Sequence, residues 1–262
     1  MTTDLLALSL AAFSGGVVAL LLTLFGGGGS VLAVPLLLYL VGVQDPHVAI
    51  GVSAAGVSLN ALTALAGQAK AGRVRWPCAI LFAVTGGAGA WFGSSLAKMI
   101  DGHQLLLIFA VAMAAVGVSM LRPKPVVVRA EPRLNWAMSP NVGLTGAGVG
   151  SAAGFFGIGG GFLIVPGLMA STGMSLATAQ ATSLLSVAAF GATTAGNYAL
   201  SGWIDPGLVA AMTVGGVAGT AAGLPLARRL GANAGLGRAL FAGLILVVAA
   251  YVAVRAILTL MG

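Results

Sequence analysis

The chain has 262 residues, of which 59% are hydrophobic and only 6% charged, with a mean hydropathy of +1.06. Soluble domains carry about 25% charged residues, so a water-soluble enzyme, a disordered protein and a disulfide scaffold are all excluded. The formal net charge of +7 is read as the cytoplasmic loop bias of a membrane protein, not as a nucleic-acid signal, and the single cysteine, Cys78, closes no bridge within the chain.

Charges fall at the ends of long uncharged runs. Between Arg133 and Asp205 the chain holds about 70 uncharged residues, enough for three crossings at roughly 20 residues each. Hydropathy and helix breakers predict segments at 5–24, 31–43, 47–68, 77–98 and 103–121, then 140–156, 162–172, 176–200, 207–227 and 238–258. The two segments 31–43 and 162–172 are too short to span unaided. The first segment is not a signal peptide: it lacks a basic start, carries Asp4, and leads into glycines rather than a cleavage site. The period-2 alternation of an outer-membrane barrel does not occur. The fold class is therefore an all-α polytopic membrane protein.

The chain repeats itself. Phe25–Pro35 reads FGGGGSVLAVP and Phe156–Pro166 reads FGIGGGFLIVP, identical at seven of eleven positions at an offset of 131. Gly86–Ala97 matches Gly216–Ala227 at six of twelve positions at an offset of 130. This divides the chain into a first repeat (1–121), a linker (122–138) and a second repeat (139–262), with about five segments in each repeat. The linker, rich in Pro and Arg, reads as extended and cytoplasmic. Basic loops at 69–76, 122–133 and 228–238 face the cytoplasm under the positive-inside rule. The loop at 199–206, which corresponds to 69–76, carries Asp205 and no cation, so it is expected outside. Corresponding loops on opposite sides imply inverted-topology repeats, a recurrent plan for secondary transporters. Trp76, Trp136 and Trp203 sit at segment ends, as interfacial anchors do.

Four adjacent glycines disfavour continuous helix by about 1 kcal/mol each relative to alanine. The runs Gly26, Gly27, Gly28 and Gly29 with Ser30, and Gly159, Gly160 and Gly161, are therefore expected to break the helix within the bilayer. Freed N–H groups and the positive dipole end of a broken helix attract an anion. Two such breaks at equivalent positions point to a substrate-binding site, with close packing through small residues as the alternative. A phosphate loop is excluded, because neither run leads into Gly-Lys-Ser/Thr. The neutral polar residues that follow extend the candidate site: Ser53, Asn60 and Gln68 in the first repeat, and Gln180, Thr182, Ser183 and Asn197 in the second. Hydroxyl and amide donors replace an anion's hydration shell without a permanent charge.

No Asp, Glu, Lys or Arg falls in the middle of a predicted span, where ion pumps place proton-relay carboxylates. Asp45 before Pro46 reads as a capped turn, and a proton-handling pair with His47 is the alternative. Lys98 and Asp101 read as an end-of-helix pair. The small-residue steps Gly89/Gly93 and Gly215/Gly219/Gly223 lie on single helix faces and could serve either a contact between halves or a homodimer. No nucleophile has a base at a sensible spacing, and no set of metal ligands occurs at ligand spacing. The chain is expected not to be an enzyme and to need no cofactor or metal.

These residues resemble the TauE/SafE family of sulfite exporters. The resemblance is carried by FGGGGSVLAVP and FGIGGGFLIVP, by Ala49–Ser53 and Ala179–Ser183, and by the loops Ala71–Val74 and Leu200–Ile204, over roughly residues 10–258. It implies a transporter of the bacterial cytoplasmic (inner) membrane acting on sulfite, sulfoacetate, other organosulfonates or related small anions. Carried over to this chain, the matching positions are Gly26–Gly29 and Gly157–Gly161, with Pro35 and Pro166. The halves differ where Gly51-Val52-Ser53 stands opposite Ala181-Thr182-Ser183. The expected function is export of small sulfur anions, and the alternative is a passive anion channel or facilitator. The expected partners are a small anion and the lipid bilayer, with no nucleic acid.

Overall fold

The computed structural model describes residues 4–121, 139–157, 161–230, 243 and 245–255. Among the described residues every regular element is helical. The helices are α1 (Leu5–Phe25), α2 (Ala33–Leu36), α3 (Pro46–Lys70), α4 (Trp76–Ala97), α5 (Gly102–Leu121), α6 (Ser139–Phe156), α7 (Gly161–Thr172), α8 (Leu176–Ala199), α9 (Pro206–Leu230) and α10 (Ile245–Arg255). A tighter 3₁₀ stretch, Gly26–Leu32, precedes α2, and a wider π stretch, Leu37–Val41, follows it. Five described helices are long and apolar enough to cross a membrane: α1, α3, α4, α8 and α9. The chain is an all-α polytopic membrane protein. The linker 122–138 lies outside the described residues, as do Gly159 and Gly160 of the second glycine run.

Local chemistry sets the helix ends. Asp45 caps α3: its carboxylate accepts from the His47 N–H at 2.8 Å, and Pro46 occupies the first turn. The capped turn therefore holds at Asp45. At the position 130 residues on, Ser175 caps α8 by accepting from the Thr178 N–H at 3.3 Å. Left-handed glycines recur at the same offsets: Gly42 with Gly173, and Gly72 with Gly202. The turns between helices thus repeat along with the helices.

Packing runs across the halves. α1 packs on α9 and α6 packs on α4, each through close backbone contact. On α9, the faces of Gly215 and Gly219 lie on the Ala12 and Gly16 backbone of α1. On α6, Gly146, Gly150 and Gly154 lie in turn on Phe82, Gly86 and Ala90 of α4. In both pairs the contact advances in the same direction along the two helices, so each pair is parallel. The glycine steps at 89/93 and 215/219/223 thus serve contacts between halves.

At the centre, α3 packs on α8 in the opposite sense. Gly51 abuts Tyr198, Gly191 abuts Ala54, and the Ser58 hydroxyl donates to the Ala188 carbonyl at 2.7 Å. Numbers rise along α3 as they fall along α8, so this pair is antiparallel. Along the same seam the α3–α8 interior buries Val52, Val57, Ala181 and Val187. A second apolar cluster joins α5 and α10 through Leu105, Phe109, Met113, Ile245, Ala249 and Val252, and it takes in Tyr198.

Candidate functional site

Both glycine runs interrupt the helix. α1 stops at Phe25, and the 3₁₀ stretch turns the chain back so that Gly29 lies against the Leu21–Leu22 backbone. A side chain at Gly29 has no room there. In the second half α6 stops at Phe156, Gly157 takes φ +66°, and α7 starts at Gly161. The break at Gly26–Gly29 is a 3₁₀ turn instead of open loop, because glycine without a Cβ tolerates the crowding of its tighter winding.

The two broken segments meet. The 3₁₀ stretch Gly26–Leu32 packs on α7 and on α8. Ser30, Ser53, Thr182 and Ser183 are all fully buried. Ser53 Oγ donates to the Gly157 carbonyl at 3.0 Å and to the Ile50 carbonyl at 2.9 Å. A serine of the first half thus satisfies a carbonyl freed by the break in the second half. Ser53 lies seven residues in from the start of α3, which at 1.5 Å per residue places Gly157 about 10 Å along that helix. The break is therefore within the membrane-spanning bundle. The Thr182 hydroxyl accepts from the Arg75 N–H at 3.2 Å, and Ser183 Oγ donates to the Gln180 carbonyl at 2.8 Å. The turn before α4 is thereby held against the start of α8. Gln180 is half-buried on the same turn.

Three further candidates lie on α3 and α8. Asn60 is buried between α3 and α9, where its Nδ2 donates to the Met212 carbonyl at 3.4 Å and its amide covers Gly216. Asn197 is buried at the far end of α8, where its amide joins α4. Gln68 lies in the last turn of α3, half-buried, and its carbonyl accepts from the Arg73 N–H. Asn197 is fourteen residues beyond Ser183 on one helix, or about 20 Å. One small anion cannot touch both. By the same measure Ser53, which holds Gly157 near the start of α3, lies about ten residues, or about 15 Å, along the antiparallel α3–α8 seam from Ser183.

Every buried polar side chain among the described residues is uncharged. Lys98 is not limited to its own helix end. Its ammonium donates to Asn197 Oδ1 at 2.7 Å and to Ser201 Oγ at 3.0 Å. The sequence signal for this tie was a lysine one turn beyond Ser94 and Ser95, but the partner is 99 residues away and no local pattern names it. Also unforeseen is the stack of His47 on Trp203, with ring centres 4.6 Å apart. It joins the start of α3 to the turn before α9. An open groove of about 440 Å³ lies between α4 and α8, lined by Ala83, Val84, Gly87, Ala88, Trp91, Ala189 and Thr193. The Thr193 hydroxyl within it donates to the Ala189 carbonyl.

Comparison with known proteins agrees with this architecture. The family model described as sulfite exporter TauE/SafE matches residues 11–252. A probable membrane transporter protein of Xylella fastidiosa strain Temecula1 is 46% identical over 244 residues, covering 91% of this chain and 92% of that one. A probable membrane transporter protein of Bacillus subtilis is 28% identical over 169 residues, covering 56% of this chain and 62% of that one. One of Methanocaldococcus jannaschii is 29% identical over 169 residues, covering 62% and 61%. No solved structure matches the chain. The protein is a multi-pass transporter of the bacterial inner membrane and not an enzyme. With glycine-broken segments in both halves and a match spanning nearly its whole length, the chain belongs to the TauE/SafE sulfite exporter family.

Proposed function

We propose that this transporter exports small sulfur-containing anions, of the sulfite or organosulfonate class, from a site where the two glycine breaks cross. The bond from Ser53 to the Gly157 carbonyl carries the reading. It caps the acceptor side of the break and leaves donors as the unspent chemistry there. The leading N–H groups of α7 and of the 3₁₀ stretch lack partners within their own helices, and their dipole ends favour negative charge. The Thr182 hydroxyl, which accepts from the Arg75 N–H, adds a further donor. All of these donors are neutral, so the anion is held without a fixed cation that would slow its release.

We read the halves as inverted copies. Support comes from the antiparallel packing of α3 on α8 at an offset of 130 and from the parallel pairs α1/α9 and α4/α6. The basic loop at 69–76 then lies inside, and the 199–206 turn lies outside. An inside-negative potential drives each negative charge outward with about 2.3 kcal/mol per 100 mV, so export needs no coupled ion.

A thermal-shift screen of the purified protein against sulfite, sulfate, sulfoacetate, taurine and thiosulfate tests the reading. A sulfur anion bound at the breaks raises the melting temperature by mass action. That shift is lost in Ser183→Ala. A screen with no shift for any anion rejects the assignment.

A further inference from the structure

We infer that Lys98, Asn197, Ser94 and Ser95 form a latch that closes the outer end of the transport path; this rests on the transporter reading above. Lys98 Nζ donates to Asn197 Oδ1 at 2.7 Å, to the Asn197 carbonyl at 3.2 Å and to Ser201 Oγ at 3.0 Å. Asn197 Nδ2 in turn donates to Ser94 Oγ at 2.7 Å, Ser95 Oγ at 2.9 Å and the Trp91 carbonyl at 3.2 Å. Both ends of one buried amide are thus engaged from α4 and its C-terminal cap, and the bonds tie the C-terminal end of α4 to the end of α8 and the turn that follows it.

The equivalent end of the other helix pair has no counterpart of the amide or of the two serines. At the offset of 130, Asn197 corresponds to Gly67, Ser94 to Leu224 and Ser95 to Pro225. There the side chain of Leu224 rests on Gly67. The amide-centred closure thus belongs to one helix pair, and with inverted halves it lies outside. Hydrogen bonds are either made or broken, whereas apolar surfaces slide, so the polar closure is the discrete two-state element that gating requires. Two features allow it to open. Lys98 is part-exposed, so water receives its ammonium on release and no charge is stranded. The α4–α8 seam next to the latch is already open as the groove at Gly87, Trp91 and Thr193. The latch is what holds the two helix ends together.

Cysteine accessibility tests this. Thr194 and Ala64 occupy equivalent positions in α8 and α3, and both are buried. Thr194→Cys and Ala64→Cys are placed separately in a Cys78→Ala background and labelled with a membrane-impermeant thiol reagent from the outer and inner sides of oriented vesicles. Lys98→Met is expected to raise outer labelling at Thr194→Cys at least tenfold while inner labelling at Ala64→Cys stays level or falls. Lys98→Arg, which keeps the donors, is expected to restore protection. Unchanged outer labelling in Lys98→Met overturns the latch, and so does an equal rise at both positions, the mark of a loosened bundle. Ser95→Ala repeats the test with a milder change, so it does not hinge on Lys98→Met remaining folded. Anion flux through the unmutated protein in the same vesicles separates the two ideas. Flat labelling with intact flux removes the latch alone, and absent flux removes the transporter reading beneath it.

Discussion

Ser58 and Ala188 stand 130 residues apart and touch: the serine hydroxyl donates to the alanine carbonyl at 2.7 Å. The same offset relates the two halves of the sequence. Two repeat-equivalent positions thus meet at the centre of the α3–α8 packing. Gly117 on α5 lies against Leu246 on α10, one residue from its counterpart, and marks a second such point.

Ser58→Ala removes a bond at this centre and leaves the Ala188 carbonyl its helical partner. Side-chain bonds between membrane helices contribute about 0.6 kcal/mol on average and up to about 1.7. A loss of that order is expected in detergent unfolding, with the protein still monodisperse. A loss several times larger would mean that Ser58 does more than join α3 to α8.

The parallel seams depend on backbone contact. A Cβ at Gly215 would overlap the Ala12 carbonyl, whereas a Cβ at Gly148 meets nothing within 4 Å. Gly215→Ala is expected to cost about 1–3 kcal/mol, as overpacking does. Gly148→Ala is expected to stabilise by up to about 1 kcal/mol through helix propensity. Melting temperatures of the two variants should move in opposite directions, and equal shifts would contradict the packing described.

Ser53 and Gly157 separate binding from folding. Gly157→Ala forces a side chain into the left-handed region and onto Ile50, so a broad loss of stability is expected. Ser53→Ala leaves the Gly157 carbonyl uncapped, at about 1–3 kcal/mol for a buried unsatisfied group. The folded Ser53→Ala protein should also show a weaker anion-dependent thermal shift, because the break is no longer held in shape. An undiminished shift would detach Ser53 from the site.

Asn60 makes the opposite case. Its Oδ1 is buried with no hydrogen-bond partner, and its Nδ2 donates over a long 3.4 Å. Replacing a poorly satisfied polar group by an apolar one of similar shape is close to neutral. Asn60→Leu should therefore fold with stability within about 1 kcal/mol of the parent and keep the anion-dependent shift. Loss of that shift in a folded variant would return Asn60 to the site.

The helices were legible because each ends on a chemical signal. Asp45-Pro46 and Ser175 start helices, and Gly42, Gly72, Gly173 and Gly202 end turns. The repeat was legible because its glycines and prolines serve backbone geometry, which tolerates few substitutes. The site was less so. Ser53 and Asn60 look alike as neutral polar residues on one helix, and only tertiary packing sends one to Gly157 and the other to Met212. Asn197 shows the same limit. An amide in an apolar span signals that a partner exists, but Lys98, Ser94 and Ser95 are about a hundred residues away in sequence.

Efflux from proteoliposomes under an imposed potassium diffusion potential tests the neutral-donor account most directly. For a monovalent organosulfonate, the account predicts electrogenic movement toward the positive side, with an equilibrium ratio of roughly 50-fold per 100 mV and no requirement for a pH gradient. Strict dependence on a proton gradient, with no response to voltage alone, would contradict it.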